Sequence, residues 1–593
     1  MREWRCSIRV ISTKTFHAGL HEELVVSENL RKEVQGAVER ATDYLYRRQR
    51  DNGSWADRLS SSAIPTPLAV LALARAGRDT YREEIAAGLA WLREHQREDG
   101  GWSLADADPP SDGSVTAFAV AAFEMLDRDG SQRCIDRAMD FIASQGGESV
   151  IFPNVRTWRE LVSVVWALEG LRDMTQQPAQ PIEVMLLPSR MRNRASIALP
   201  GVIGLGIGQS RVLPAGVIRR AARRLAEPRG LAWLRSVMGR NGGIEECPLM
   251  AAIVFMGLRT AGADIGADIQ SGCIEYLLST RRADGSWAID RDLEIAVTAY
   301  AVLALAECGV ITDEPRLRHT KDWLLDAQWK DPFPPLGMPA GGWSWANPSG
   351  WPESEDTAVV LSALRELGLP RDDPAARLGL DFLLRRQNRN GSWSEWVRDS
   401  SLIHDGPCVG VTGHVVMALH QYGLTTSDAK SPIGRALRYL RAEQQPDGAA
   451  ASLWFRDSTH GTAKLVETYT ELGRHGHVVV ANGRRWLLDN QREDGAWPST
   501  VVEGPPPAGT AEETAWAVYA LLRAGTAPSN AGVTRGVEWL VDAQTDEGTW
   551  RPSAVGLYYD TMYYSSDLIA HTYALRALAR WLQGIDDNRV TTA

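Results

Sequence analysis

The segment Trp351-Pro-Glu-Ser-Glu-Asp-Thr-Ala358 holds three carboxyl side chains, Glu353, Glu355 and Asp356, just ahead of an apolar stretch. Two roles fit this spacing. Acids are favoured at a helix start, where free amides and the helix dipole stabilise negative charge. Three acids exceed what a cap requires, however, and clustered carboxyls cannot all ionise cheaply, so one is pushed toward its protonated form. A protonated carboxyl facing an apolar, aromatic cavity is a strong Brønsted acid toward an alkene. His414, in the later segment Val-Thr-Gly-His, reads either as a core histidine or as a partner of that acid. The 22 tryptophans supply the aromatic material.

The elements that must position these residues follow from a repeat. The pattern Gln-x-x-x-Gly-x-Trp is complete at Gln49–Trp55, Gln96–Trp102, Gln387–Trp393, Gln491–Trp497 and Gln544–Trp550. A copy with arginine first runs Arg281, Gly285, Trp287, and degenerate copies begin at Gln145, Gln328 and Gln444. Each copy ends an amphipathic helix, and its glycine turns the chain. A second, wholly apolar helix follows. A pair of this kind cannot bury its apolar side alone, so pairs must stack or close into rings. Threonines at 298, 357, 412, 462, 514 and 572 mark six such inner helices. Each hydroxyl is expected to satisfy a free amide at its own helix start. The residues just before them, including Glu355, Asp356, Gly461, Glu512, Glu513 and His571, should surround one mouth.

The expected fold is all-α, with two α/α barrels of alternating outer and inner helices, the second an (α/α)6 barrel. Weaker repeats between residues 30 and 262 read as the other barrel, with a junction near Ala263–Asp268. That region contains Arg219, Arg220, Arg223, Arg224 and Arg229 beside Leu231, Trp233 and Leu234. A basic amphipathic helix of this kind reads as peripheral to a membrane or as a solvated outer helix.

Composition removes several classes. Hydrophobic residues make up 44% of the 593, too many for a mainly disordered chain. The net charge of −10 argues against nucleic acid as a partner. Six scattered cysteines without a Cys-x-x-Cys pair argue against a disulfide scaffold and for a reducing compartment. The N-terminus shows no apolar signal core, and no run reaches the ~18 apolar residues of a membrane span. A cytoplasmic protein, peripheral to a membrane, is therefore expected, and a homodimer is compatible with this organisation.

Glu-Ser-Glu-Asp-Thr-Ala-Val-Val, together with the glutamine–tryptophan repeats, resembles the squalene–hopene cyclases, bacterial class II triterpene cyclases whose acid motif is Asp-x-Asp-Asp-Thr-Ala. Segments 144–158, 341–360 and 411–414 fit in order, so the resemblance covers almost the whole chain. It implies a barrel of residues 1–25 plus 265–593 carrying the acid, with a second barrel, 30–262, inserted. It implies protonation of an alkene and a cationic cyclisation of a linear isoprenoid, with no metal or redox cofactor. Mg²⁺ would enter only with a diphosphate substrate.

By position, Glu355 stands where the family has its proton donor, Glu353 replaces the first aspartate, and Asp356 keeps the last. The extra methylene displaces the acid by ~1.5 Å. His414 matches the histidine that hydrogen-bonds the donor. Trp158, Trp345, Trp396 and Trp454 align with cavity aromatics, and Tyr558, Tyr559, Tyr563 and Tyr564 resemble the cavity tyrosines, with Tyr559 and Tyr563 taken to bind substrate. His460 stands for a cavity tyrosine, Gly410 for an acid, and Val297-Thr298 for an Asp-Thr pair. These departures leave squalene, shorter prenyl diphosphates and an isoprenoid with an aromatic head open as substrates.

Other readings use other residues. Protein prenyltransferase β subunits share the barrel but need zinc ligands, for which His404, Asp405, Cys408 and His414 have the types but not the spacing. A glycosidase would pair Glu355 with Glu512 or Glu513 across a cleft. A catalytically degenerate isoprenoid-binding protein would keep the fold without the acid.

Overall fold

The computed structural model describes residues 13–105, 110–147, 149, 160–309, 315–400, 402, 405–425, 428–499, 508–558 and 562–592. Helix α1 (Thr13–Arg48) leads into the first barrel. There α2 (Pro65–Gly77), α4 (Gly113–Leu126), α6 (Glu160–Leu168), α7 (Leu199–Val212) and α9 (Pro248–Ala261) lie inside. Outside them run α3 (Arg82–Glu94), α5 (Arg128–Ser144), α8 (Val217–Val237) and α10 (Ala267–Thr280). The second barrel alternates inner α11 (Glu294–Glu307), α13 (Ser354–Glu366), α15 (Val409–Gln421), α17 (Thr459–Glu471), α19 (Ala511–Arg523) and α21 (Asp567–Thr592) with outer α12 (Pro315–Asp326), α14 (Pro374–Arg386), α16 (Pro432–Glu443), α18 (Val478–Asp489) and α20 (Ala531–Asp542). Each inner helix packs on the next, and α21 returns to α11, closing the ring of six. The strands described are a short hairpin, β1 (Gly556–Tyr558) and β2 (Met562–Tyr564).

Burial follows the helix type. Residues 511 to 522 of α19 are all buried, because neighbours cover every side of an inner helix. Outer α16 buries Ile433, Ala436, Leu437 and Leu440, one stripe at helical spacing.

The repeat is a hydrogen-bond device. In the copy after α14, Gln387 Nε2 donates to Gly391 O (2.8 Å) and to Pro432 O on the next outer helix (2.8 Å). The Trp393 indole N–H donates to Leu383 O (2.8 Å), and its backbone N–H donates to Thr412 Oγ1 (3.0 Å) on the next inner helix. Gly391 has φ of 98°, and a Cβ there would meet Arg435 O at 2.5 Å, so only glycine lets the turn touch α16. The copy at Gln444 lacks the tryptophan but keeps the glutamine bonds and the Ala450 amide bond to Thr462 Oγ1 (2.8 Å). Five of the six threonines thus accept an amide of a repeat turn, not one of their own helix start as the sequence had suggested, while Thr572 Oγ1 donates to Leu568 O (2.6 Å). A turn amide buried beneath an indole has no water to bond, and the hydroxyl takes that role.

Both expected domain boundaries fall one helix early. Helix α1 is continuous through residue 30 and packs on α20 and α21. Gln544 Nε2 donates to Ala37 O (2.9 Å), as each earlier glutamine does to its next outer helix, so α1 is the sixth outer helix of the second barrel. At the other junction, the Trp287 amide donates to Thr66 Oγ1 (3.0 Å), which makes α10 the outer helix that closes the first barrel on α2. The Trp55 amide donates to Thr298 Oγ1 (2.9 Å), so the turn after α1 likewise stays with the second barrel. The chain changes barrel just after each of these two turns.

Candidate active site

The acid motif opens α13. Glu353 is its N-cap, and the Glu353 amide donates to Trp343 O (2.9 Å). The start of α13 is pinned against the turn that follows Trp393. Ser354 Oγ donates to Ser394 O (2.7 Å), and the Glu355 amide donates to Glu395 Oε2 (3.0 Å). Arg386, buried at the end of α14, donates to Glu395 O (2.8 Å). Asp405 accepts from the Trp396 and Val397 amides (3.0 and 2.9 Å), so this carboxylate shapes the turn. On α15, His414 Nδ1 stands 3.0 Å from Glu355 Oε1. The expected pairing is within reach because α13 and α15 are adjacent inner helices starting at the same end.

Glu395 is the residue that sequence reasoning missed. It lies in Ser-Trp-Ser-Glu-Trp, directly after a repeat turn, and an acid at that place was the available signal. It completes four buried carboxyls at one point, with Glu353, Glu355 and Asp356. Burial and mutual repulsion push Glu353 and Glu395 well above the usual carboxylate range. Burial raises Asp356 to about 6. Glu355 goes the other way: burial would raise it, but the His414 ring and the Lys464 ammonium outweigh that and hold it low. Lys464, on α17, is itself buried and 2.9 Å from Glu467. Burial, and then the nearby Lys464 cation, push His414 below its usual value. Negative charge in this set therefore concentrates on Glu355, while its neighbours hold protons.

These carboxyls line a cavity whose remaining wall is largely apolar and aromatic. Trp345, Trp396 and Trp454 line it as expected, joined edge to face with ring centroids 5.9 and 5.3 Å apart. Tyr300, Phe455, Tyr558 and Tyr564 complete the aromatic wall. Trp158 and Tyr559 lie outside the described residues.

Two sequence assignments are corrected. Tyr563 does not line the cavity among the described residues, and the Arg456 guanidinium stacks 3.8 Å above its ring. In a strand, successive side chains face opposite ways, and Tyr564 takes the cavity position. His460 sits behind the wall, 4.1 Å from the Phe455 ring and 4.8 Å from Trp516 by centroids. It fills space left by Gly410, where a Cβ would meet the imidazole at 3.2 Å.

The expected mouth is also only partly formed. Glu512 Oε1 accepts from the Ser553 amide (2.8 Å), and His571 bonds Thr549 Oγ1 and Ala41 O (3.0 and 3.1 Å). Neither these nor Glu513 lines the cavity, so a second carboxyl across a cleft from Glu355 is not found at Glu512 or Glu513. No group of three or more His, Cys, Asp and Glu side chains suited to a metal ion occurs among the described residues, and His404 lies outside them.

Comparison with known proteins agrees with this geometry. The model of the squalene-hopene cyclase C-terminal domain matches residues 294–583, and that of the N-terminal domain matches residues 38–196. The squalene–hopene cyclase of Alicyclobacillus acidocaldarius is 28% identical, over 93% of this chain and 98% of its own. The squalene–hopene cyclase of Bradyrhizobium diazoefficiens is 25% identical, over 92% and 94%. Among solved structures, ent-copalyl diphosphate synthase from Streptomyces platensis shares the fold with a TM-score of 0.59 at 19% identity, covering 94% of this chain and 100% of that one. With both halves of the family matched in order and an acid set opening onto an aromatic cavity, the chain belongs to the squalene–hopene cyclase family, the class II terpene cyclases.

Proposed function

We propose that this protein cyclises a linear isoprenoid by protonating a terminal alkene, with the proton leaving through Glu355. The observation that carries the reading is the four-carboxyl set, paired with His414 and opening onto the aromatic cavity. A proton held by the neighbouring carboxyls moves onto Glu355; the Glu355 O–H bond then breaks and a C–H bond forms from the alkene π pair, leaving the set one proton poorer. The carboxylate left behind faces His414 and Lys464, which favour it. Glu353, Asp356 and Glu395 hold protons nearby. A group whose charged form is favoured is the stronger acid once protonated, and an alkene requires a strong one. The cation is then passed along the chain by successive alkene attack. It rests against the faces of Trp345, Trp396, Trp454 and the cavity tyrosines, at ~0.5–2 kcal/mol per contact, without being trapped. Loss of a proton or capture of water ends the cascade. The steps need no metal or redox group. Product analysis by gas chromatography–mass spectrometry, after incubation with squalene and with C15 and C20 prenyl alcohols and diphosphates, tests this reading. A new cyclic product is expected, and tight binding with no product from any chain would make the protein an isoprenoid binder instead.

The same reading calls for a lipid surface. Seven of the ten exposed large apolar side chains among the described residues fall between Leu186 and Leu225, with Val217 75% and Ile218 89% exposed. Arg219 and Arg223 are tied to Glu183, at 2.7 and 3.2 Å. The apolar tip of α8, flanked by the exposed Arg220 and Arg224, is therefore what the molecule offers to a bilayer. The other three, Met139, Leu384 and Val478, sit singly on separate helices and offer a homodimer no apolar interface. No described helix is long and apolar enough to cross a membrane. Flotation with liposomes is expected to show binding that Ile218→Glu with Val217→Glu abolishes, and equal flotation of the double variant would refute a docking role for this tip.

A further inference from the structure

Asp290 is a cavity carboxyl that the acid set does not include. It lies between Trp287 and α11, where the chain crosses from the first barrel to the second. Its neighbours there are the Glu246 carboxylate, whose charge raises it, and the Cys247 thiol, which hydrogen-bonds it, both just ahead of first-barrel helix α9. The acid set is instead surrounded by its own members, His414 and Lys464, all of the second barrel. The cavity thus has carboxyls at two places, one at the His414 side and one against the first barrel, with Leu293, Ala296 and Ile569 also in its wall.

Asp290 is only 5% exposed; the Cys247 thiol hydrogen-bonds its carboxyl, and its Oδ1 has no further partner among the described residues. A thiol is a weak donor, so a buried carboxyl served by it alone gains from an oxygen-bearing ligand that completes its hydrogen bonds.

The surroundings select the partner's charge. Asp57, Asp292, Glu246 and Glu294 gather at the same crossover. The two guanidinium groups there are committed: Arg291 Nε lies 2.6 Å from Glu246, and Arg50 Nη1 lies 3.1 Å from Glu294. Burial holds Asp57 at about 6 and Asp292 at about 7, so this end is crowded with carboxyls kept near neutrality. A diphosphate would meet carboxyls and no free cation among the described residues. A neutral oxygen would meet a carboxyl able to donate to it and accept from it.

We propose that Asp290 is a head-group subsite, which hydrogen-bonds a neutral hydroxyl or carbonyl oxygen at the end of the isoprenoid remote from the protonated alkene. The word substrate here rests on the cyclase reading; the binding does not. The test uses C20 chains of equal length: geranylgeraniol, the matching hydrocarbon without oxygen, and geranylgeranyl diphosphate. Binding is read by quenching of tryptophan fluorescence in the wild type, Asp290→Leu and Asp290→Asn, and products are read from the same mixtures. The wild type should bind the alcohol about tenfold more tightly than the hydrocarbon, the worth of one hydrogen bond to a buried group. Asp290→Leu should remove that preference and leave hydrocarbon binding within twofold. Asp290→Asn should keep most of it. Equal binding of alcohol and hydrocarbon by the wild type, or tightest binding of the diphosphate, overturns the proposal even if neither variant folds. Asp290-dependent binding without any product would leave the subsite standing and refute the cyclase reading, while products without Asp290 dependence would do the reverse.

Discussion

Glu355→Gln is expected to lower turnover by ~10²–10⁴-fold, the worth of a positioned proton donor. Substrate binding should change little, because glutamine keeps the size and the cavity wall. The fold should also survive, since the amide of residue 355 still donates to Glu395 whichever side chain it carries. Turnover of the variant within threefold of wild type would reject Glu355 as the exit for the proton. Glu355→Asp shortens the arm and draws the carboxyl away from a His414 ring that stands 3.0 Å from the present one. A misplacement of ~1 Å can cost ~10²-fold, so the family's usual residue should be the poorer acid here. The pH profile gives a third readout. The donor set must carry a proton, and Asp356, held at about 6, loses its proton at lower pH than Glu353 and Glu395, which lie well above the usual range. Activity should fall as pH rises through about 6, and a limb falling in the opposite direction would contradict a carboxyl donor.

His414→Ala is expected to lower kcat by ~10–100-fold with KM nearly unchanged, because the ring acts on the charge that appears only as the proton leaves. His414 and Lys464 together hold Glu355 low. Without the ring the carboxyl keeps its proton to higher pH and is a weaker acid. The plateau should therefore drop, and the limb near 6 should move down, because a more protonated Glu355 no longer raises Asp356, a signature that mere loss of packing would not give. His414→Gln, which can still donate to Glu355, should recover part of the loss. An unchanged profile, or a loss confined to KM, would show that the histidine only fills space.

Much of this was legible along the chain. The glutamine, glycine and tryptophan of each repeat are local: Gln387 reaches Gly391, and the Trp393 indole reaches Leu383, within one turn and one helix. Helix alternation, the six inner helices and the acid motif at the start of α13 follow from such short-range pattern. So does the meeting of Glu355 with His414, because equivalent positions of adjacent repeats share one end of a barrel. What lay outside that pattern needed contacts between distant residues. Helix α1 joins the second barrel through Ala37 and Gln544, and each barrel is closed by a bond between distant residues, Trp55 with Thr298 in the second and Trp287 with Thr66 in the first. Glu395 reached the acid set only because Arg386 and Asp405 fold its turn against α13. The choice of Tyr564 over Tyr563 hung on hairpin register, and a shift of one residue reverses every side chain of a strand. His460 stands behind the wall because Phe455 and Trp516 hold it there against Gly410, fifty residues away in the chain. Periodicity fixes which face of an element is apolar. Which polar group ends beside which is decided by packing between elements far apart in sequence, and that packing gave Glu395 and Asp290 their places in the cavity wall.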